Sequence, residues 1–297
     1  QFQDEAEYVR ILLPNQLFIK IRENKFSQIL TLNPQQWSSK TGFKKLLSHF
    51  YNQTSYVLDR KIKQQNDSFS INPFEVGGED ELGLNLNFRN ALFFNRGKQK
   101  YTTSYTYVSS SSRNLLSVGL LENKIKNHQL NFTHKIWETW LANLKSTIGT
   151  NESISENFEN RNYKLEVNNI APKISYILNS QTKFDMFYQL LNKENTLGEK
   201  EQLEQQKLGV SFSYSRAQKL SVNGEFNYID NAFTGSAFSP VAYQILEGLQ
   251  PGVNFTWRLL FQKKITKYLD ANLSYFGRKS KNSSTIHSGS IQLKAYF

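Results

Sequence analysis

Ile286-His287-Ser288-Gly289-Ser290-Ile291-Gln292-Leu293-Lys294-Ala295-Tyr296-Phe297 ends on a strict alternation, with Ile291, Leu293, Ala295 and Phe297 on one side and Ser290, Gln292, Lys294 and Tyr296 on the other. A period of two belongs to a strand whose two faces meet different surroundings. The stretch has no room for a cap or a polar tail, although chain ends are usually frayed and polar. The fold therefore turns on whether the same alternation recurs upstream.

It recurs from residue 46 onward. Phe50, Thr54, Tyr56 and Leu58 share one parity within 46–62. Leu82, Leu84, Leu86, Phe88, Leu92 and Phe94 oppose Asn85, Asn87 and Arg89. Tyr101, Thr103, Tyr105 and Tyr107 follow, then Leu130, Phe132 and Ile136, then Trp140, Ala142, Leu144 and Ile148. Tyr163, Leu165 and Val167 share a parity that shifts across 168–174, where Pro172 predicts a bulge. The strands around 184–190, 208–214, 220–228, 253–263, 269–278 and the terminal stretch bring the predicted number to twelve. Residues 1–44 are read differently. Tyr8-Val9-Arg10-Ile11-Leu12-Leu13 looks strand-like, a short hairpin is predicted around Arg22, Glu23 and Asn24, and 33–42 reads as loop or helical turn. This span is expected to be a periplasmic segment or the end of a preceding domain, with a barrel over 45–297; added strands from it would make fourteen.

The links between predicted strands sort by length. Short ones at 265–267, 216–218, 179–181, 137–139 and 96–99 alternate with long polar ones at 279–285, 229–252, 193–206, 151–160, 109–125 and 63–80. An outer-membrane barrel has this asymmetry, with short periplasmic turns and long outward loops. The predicted fold is thus all-β, a closed antiparallel up-and-down transmembrane barrel with both chain ends periplasmic. In the hairpin around 265–267, pairing Gln262 with Asp270 and Trp257 with Tyr275 would leave the aromatic residues near both edges of the apolar band. Ile291, Leu293, Ala295 and Phe297 then read as the barrel-assembly signal.

Composition agrees with this fold and narrows the function. The chain has 297 residues, 38% hydrophobic and 14% aromatic, with no cysteine and a formal charge of +11. A mean hydropathy of -0.56 argues against helical membrane spans but not against strands that are half polar. Without cysteine there is no disulfide frame and no thiolate chemistry. The basic residues are scattered singly, so no nucleic-acid footprint is read. No export signal stands at Gln1, and the chain is expected to be a processed form or the terminal piece of a longer exported protein.

Pro240-Val241-Ala242-Tyr243-Gln244-Ile245-Leu246-Glu247-Gly248-Leu249-Gln250-Pro251-Gly252 leads into Asn254-Phe255-Thr256-Trp257. With Gly277-Arg278-Lys279-Ser280 and Ile286-His287-Ser288-Gly289, this run resembles the C-terminal outer-membrane barrel of large envelope proteins of Bacteroidota. The likeness spans residues 33–297 and is sharpest over 240–297. It implies a membrane-embedded end of a longer chain and carries no catalytic residues.

Candidate site residues follow from the faces. Arg89, Lys135, Lys183, Asp185, Glu225, Arg258, Asp270, Arg278 and Lys294 are expected toward the lumen. Their mixed signs favour closure of the lumen over an anion-preferring channel. Tyr243, Leu246, Leu249 and Pro251 mark an outward loop that folds into the barrel mouth, docks a partner or packs on its own rim. Lys193, Lys200, Lys207, Lys279 and Lys281 are placed in outer loops, within reach of lipopolysaccharide phosphates. His49, His128, His134 and His287 lack any metal-ligand spacing, so no metal or other cofactor is expected. His287 beside Ser288 and Ser290 invites comparison with outer-membrane phospholipases, but neighbouring strand residues point to opposite faces, so no enzyme activity is read. The expected function is a non-enzymatic membrane anchor or scaffold of a larger envelope protein. Its partners would be outer-membrane lipids, lipopolysaccharide and other envelope proteins; a porin-like solute channel and a soluble all-β binding domain are the alternatives.

Overall fold

The computed structural model describes residues 19–64, 72, 78, 80–98, 100–116, 119–217, 219–281 and 283–296. Thirteen strands form one antiparallel sheet in which each strand pairs with its neighbours in sequence. They are β1 (Ile21–Leu32), β2 (Phe50–Lys63), β3 (Glu81–Phe94), β4 (Tyr101–Leu116), β5 (Gly119–Lys135), β6 (Trp140–Ser155) and β7 (Tyr163–Ile177). β8 (Thr182–Asn195), β9 (Gln202–Arg216), β10 (Leu220–Thr234), β11 (Gly252–Thr266), β12 (Leu269–Ser280) and β13 (Ile286–Ala295) complete it. Two short helices interrupt the pattern, α1 (Phe43–Leu47) before β2 and α2 (Pro240–Ile245) between β10 and β11. Among the described residues no pairing joins β1 to β13.

The count corrects the expected twelve, because the sheet already begins inside the span 1–44. The predicted hairpin around Arg22, Glu23 and Asn24 is one continuous strand. Nothing there supplies a turn, and the polar triplet finds partners across the ladder instead. Lys25 meets Glu23 at 3.2 Å and Asp59 at 3.7 Å, and Lys61 meets Glu23 at 3.8 Å. The predicted strand 8–13 lies outside the described residues, as does Phe297.

Strand ends also differ from expectation. The turns at 95–100, 136–139, 178–181, 217–219 and 267–268 are short and lie at one end, the turn end, which the 33–49 link also shares. At the other, the loop end, the predicted long loop 109–125 is absent. β4 and β5 run on, pairing Ser109 with Lys126 and continuing to Leu116 with Gly119. β6, β8, β9 and β10 likewise run into 151–160, 193–206 and 229–252, reaching Ser155, Asn195, Gln202 and Thr234. The reason is solvent: beyond the apolar band a strand is polar on both faces, so hydrophobic alternation fades while the hydrogen-bonded ladder persists.

Two further expectations are revised. In the β11–β12 hairpin Gln262 pairs with Asn272 and Trp257 with Gly277, two residues from the predicted register, with an irregularity at 264–266. A shift of two leaves every side chain on its predicted face. The bulge predicted at Pro172 is also absent, since β7 keeps one register against β6 from Trp140↔Tyr176 to Ser153↔Tyr163. Its apparent change of parity has another cause. Leu165 and Val167 lie on the face that receives α2, whereas Ile170, Ile174 and Tyr176 lie on the opposite face.

Candidate functional site

Register fixes the two faces. Ser175, Asp185, Ser211, Glu225 and Arg258 are successive cross-strand partners from β7 to β11, so one row of polar residues crosses five strands. This face, which carries α2, is the inner face; the other is the outer face.

The outer face is apolar through its middle. Leu144 and Ile148 on β6, Ile170 and Ile174 on β7, and Met186 and Leu190 on β8 stand exposed, Met186 at 55%. The same rows continue through Leu208, Val210, Phe226 and Leu259 to Ile291 at 74% and Leu293 at 64%. Aromatic pairs border this belt on both sides. Toward the turn end lie Phe50–Phe94 (5.1 Å between ring centres), Trp140–Tyr176 (4.9 Å) and Phe184–Phe212 (5.0 Å). Toward the loop end lie Tyr107–His128 (4.8 Å), Tyr228–Phe255 (5.6 Å) and Trp257–His287 (5.9 Å). Beyond the loop-end border the outer face becomes charged, with Lys124 on Glu122 at 2.8 Å.

Lys183, Asp185, Glu225, Arg258, Asp270, Arg278 and Lys294 all lie on the inner face, as does Arg89, which shares its parity on β3 with Ala91, the partner of Thr106. The structure joins some of them: Lys183 meets Asp185 at 2.9 Å and Arg258 meets Glu225 at 3.4 Å. Asp185 also accepts hydrogen bonds from Ser175 and, at 3.4 Å, from Ser211. Asp270 accepts one from Tyr296 at 3.1 Å. Arg278 stands apart from the acids and donates to the Gly248 carbonyl at 2.9 Å.

That last contact belongs to the inner face at the loop end. Ser239 caps α2 by accepting a hydrogen bond from the Ala242 N–H at 3.0 Å, and Pro240 starts the helix with a preset φ. Val241, Ala242, Ile245 and Leu246 bury themselves against Leu165 and Leu203, with Tyr163, Val167 and Phe233 around them. Four apolar side chains removed from water stabilise this docking by roughly 1.5–3 kcal/mol for each large one. The segment after the helix is tied by polar contacts: Asn231 and Asn254 donate to the Gln250 carbonyl at 3.1 and 2.8 Å, and Ser280 donates to Asn254 at 2.5 Å. Of the four loop residues singled out in the sequence, Leu246 is buried, Leu249 half-buried, and Tyr243 and Pro251 exposed.

Sequence reasoning missed the seat of this helix. Leu165 and Asn254 read only as strand residues, and Leu203 and Asn231 as parts of the long links 193–206 and 229–252, although the misread parity of β7 was the available signal. Three lysines assigned to outer loops stand on strands instead: Lys279 on the outer face of β12, opposite Phe255, and two others on the inner face. Lys193 lies on the inner face of β8, where it holds the Ile245 carbonyl at 3.1 Å and Glu247 at 2.7 Å. Lys207 lies on the inner face of β9, 5.5 Å from the centre of the Phe187 ring.

The histidines are dispersed. His49 bonds Asn95 at 2.6 Å, His128 bonds Tyr105 at 2.7 Å and His287 bonds Tyr275 at 2.8 Å. His287 is on the outer face, opposite to Ser288 and Ser290. Among the described residues no group of three or more histidines and carboxylates is placed to hold a metal ion. Among the described residues no helix is long and apolar enough to cross a membrane, which says nothing of strands. No protein-family model matches the chain, and no curated protein matches it.

Proposed function

We propose that this chain is a β-barrel seated in a bacterial outer membrane, where it anchors or scaffolds a larger envelope protein without doing chemistry of its own. The observation that carries this reading is the exposed apolar belt on one face of all-antiparallel neighbours, bordered by aromatic residues on both sides. From Trp140 to Ile148 the belt runs eight residues, roughly 26 Å along the strand at ~3.3 Å each, or ~19 Å of membrane depth at ~45° tilt. That approaches the ~25 Å apolar band of such barrels. In water so large an apolar surface would drive aggregation. The turn end faces the periplasm in this reading, as does the end of β13, and the charged strand extensions at the loop end meet lipopolysaccharide.

Anchor is favoured over open pore by α2, which fills part of the mouth instead of leaving it clear. The resemblance to C-terminal barrels of Bacteroidota envelope proteins points the same way. A porin-like channel is the second reading, favoured by a polar inner face that retains a concavity of about 460 Å³ between β4 and β8. Membrane fractionation tests the first: extraction only with detergent and a heat-dependent shift in gel migration are expected. Recovery in the aqueous fraction without detergent would refute it. Steady planar-bilayer conductance of the purified chain would move the assignment to the channel.

A further inference from the structure

We propose that the inner face carries a binding station for a small oxyanion, a phosphate or a carboxylate, formed by Lys145 and Lys173 with Lys183 at its rim; this rests on the reading of that face as a lumen.

Charge is sorted between the faces of β4 to β9. The inner side presents Lys135, Lys145, Lys173, Lys183, Lys193 and Lys207 against a single carboxylate, Asp185. The glutamates of the same strands, Glu122, Glu152, Glu166, Glu194 and Glu204, all point to the outer side. A wall built only to be wet has no reason to expel its acids in this way.

Internal pairing does not neutralise the inner lysines. Lys193 is taken by Glu247 at 2.7 Å, and Asp185 is spent on Lys183 at 2.9 Å and on the two serines. Asp185 feels the charge of Lys173, but its ion-pair contact is with Lys183. Lys145 and Lys173 sit on adjacent strands, Lys173 opposite Asn143 and Lys145 two residues further along. With Lys183 they line the concavity of about 460 Å³, whose other wall offers Thr106, Gln129 and Asn131 as hydrogen-bonding groups. Two ammonium groups lining one partly enclosed polar hollow repel each other, and an oxyanion between them removes that repulsion and accepts their N–H donors. The hollow is too small for a macromolecule and large enough for a diphosphate or a tricarboxylate.

The test is calorimetric titration of the purified full chain in detergent micelles, at fixed low ionic strength, with inorganic pyrophosphate in one arm and citrate in the other. Binding of at least one is expected, and the tighter arm names the class. K145Q/K173Q should weaken that binding at least about tenfold, equivalent to ~1.4 kcal/mol. K124Q/K126Q, which removes two lysines from the outer face, should leave it unchanged. Failure of the wild type to bind either anion, or equal weakening by both double variants, overturns the proposal. Heat-dependent gel migration of the same samples keeps the two levels apart. A chain that migrates as a folded barrel yet binds neither anion sinks the station alone, whereas one with no such migration sinks the barrel beneath it.

Discussion

At Gly277 the outer face has no side chain, and the Trp257 indole on the neighbouring strand lies over the bare backbone; an added Cβ would fall within the ring. The indole then reaches His287 on β13, 5.9 Å between ring centres, where Tyr275 stacks at an interplanar angle of 11°. One glycine thus lets an aromatic group bridge three strands at the loop-end border. G277A should displace Trp257 and cost about 1–3 kcal/mol, the usual range for overpacking, read as a lower urea midpoint for refolding into micelles. An unchanged midpoint would mean that the bridge is ornamental. Faces set the second expectation at this scale. Met186, exposed on the outer face, should lose about 2–4 kcal/mol as M186R if lipid surrounds it, whereas Q189R on the inner face of the same strand should be nearly neutral. Equal losses in the same refolding assay would contradict lipid contact. Side-chain facing was the most legible property of the sequence, because a period of two survives register errors of two. Lys193 and Lys207 were misplaced because their neighbourhood lacks apolar alternation, which was taken for a loop.

Among elements, β2 to β13 were legible and their lengths were not. A strand announces itself in sequence only where its faces differ, so the reading ended each strand at the edge of the apolar belt, while Ser109–Lys126 and its successors continue the ladder in water. β1 was broken in two for the same reason, its polar middle carrying no alternation of hydrophobicity. The burial of Leu246 was foreseeable from its apolarity within a polar loop; the place it docks was not, because Leu165 and Val167 reveal their role only when β7 is known to keep its register. α2 is held on the inner face by one small apolar cluster, and it should release cleanly. I245D places a carboxylate where Ile245 has no exposure at all. The cost, about 3–5 kcal/mol for an unpaired buried charge, comes on top of the lost burial of Ile245 and matches what Val241 and Leu246 still contribute, so undocking is the expected response. Chymotryptic cleavage after Leu246, buried in the docked state, should then appear in the variant and remain absent in the parent. If α2 is what closes the mouth, planar-bilayer current should rise in parallel. Protection of Leu246 in I245D would show that the loop is held chiefly by Asn231, Asn254 and Arg278 instead.

Across the whole molecule an odd number of strands poses a topological problem. β1 runs from the loop end to the turn end, and so does β13, so the two free edges are parallel in an otherwise antiparallel sheet. Edges in hydrocarbon leave backbone N–H and C=O groups without partners, each at a cost of several kcal/mol. A closed antiparallel wall therefore needs one more strand, running from turn end to loop end between β13 and β1. The chain has no native cysteine, so engineered pairs report neighbours without background. L293C on β13 and L30C on β1 share the outer face at the turn end. We expect no disulfide between them in folded protein, because bridging requires Cβ atoms within about 4.5 Å and antiparallel closure keeps these two edges from pairing directly. A bridge between L293C and L30C would overturn that expectation and show direct parallel closure by the thirteen strands, since an open sheet cannot stand in a bilayer.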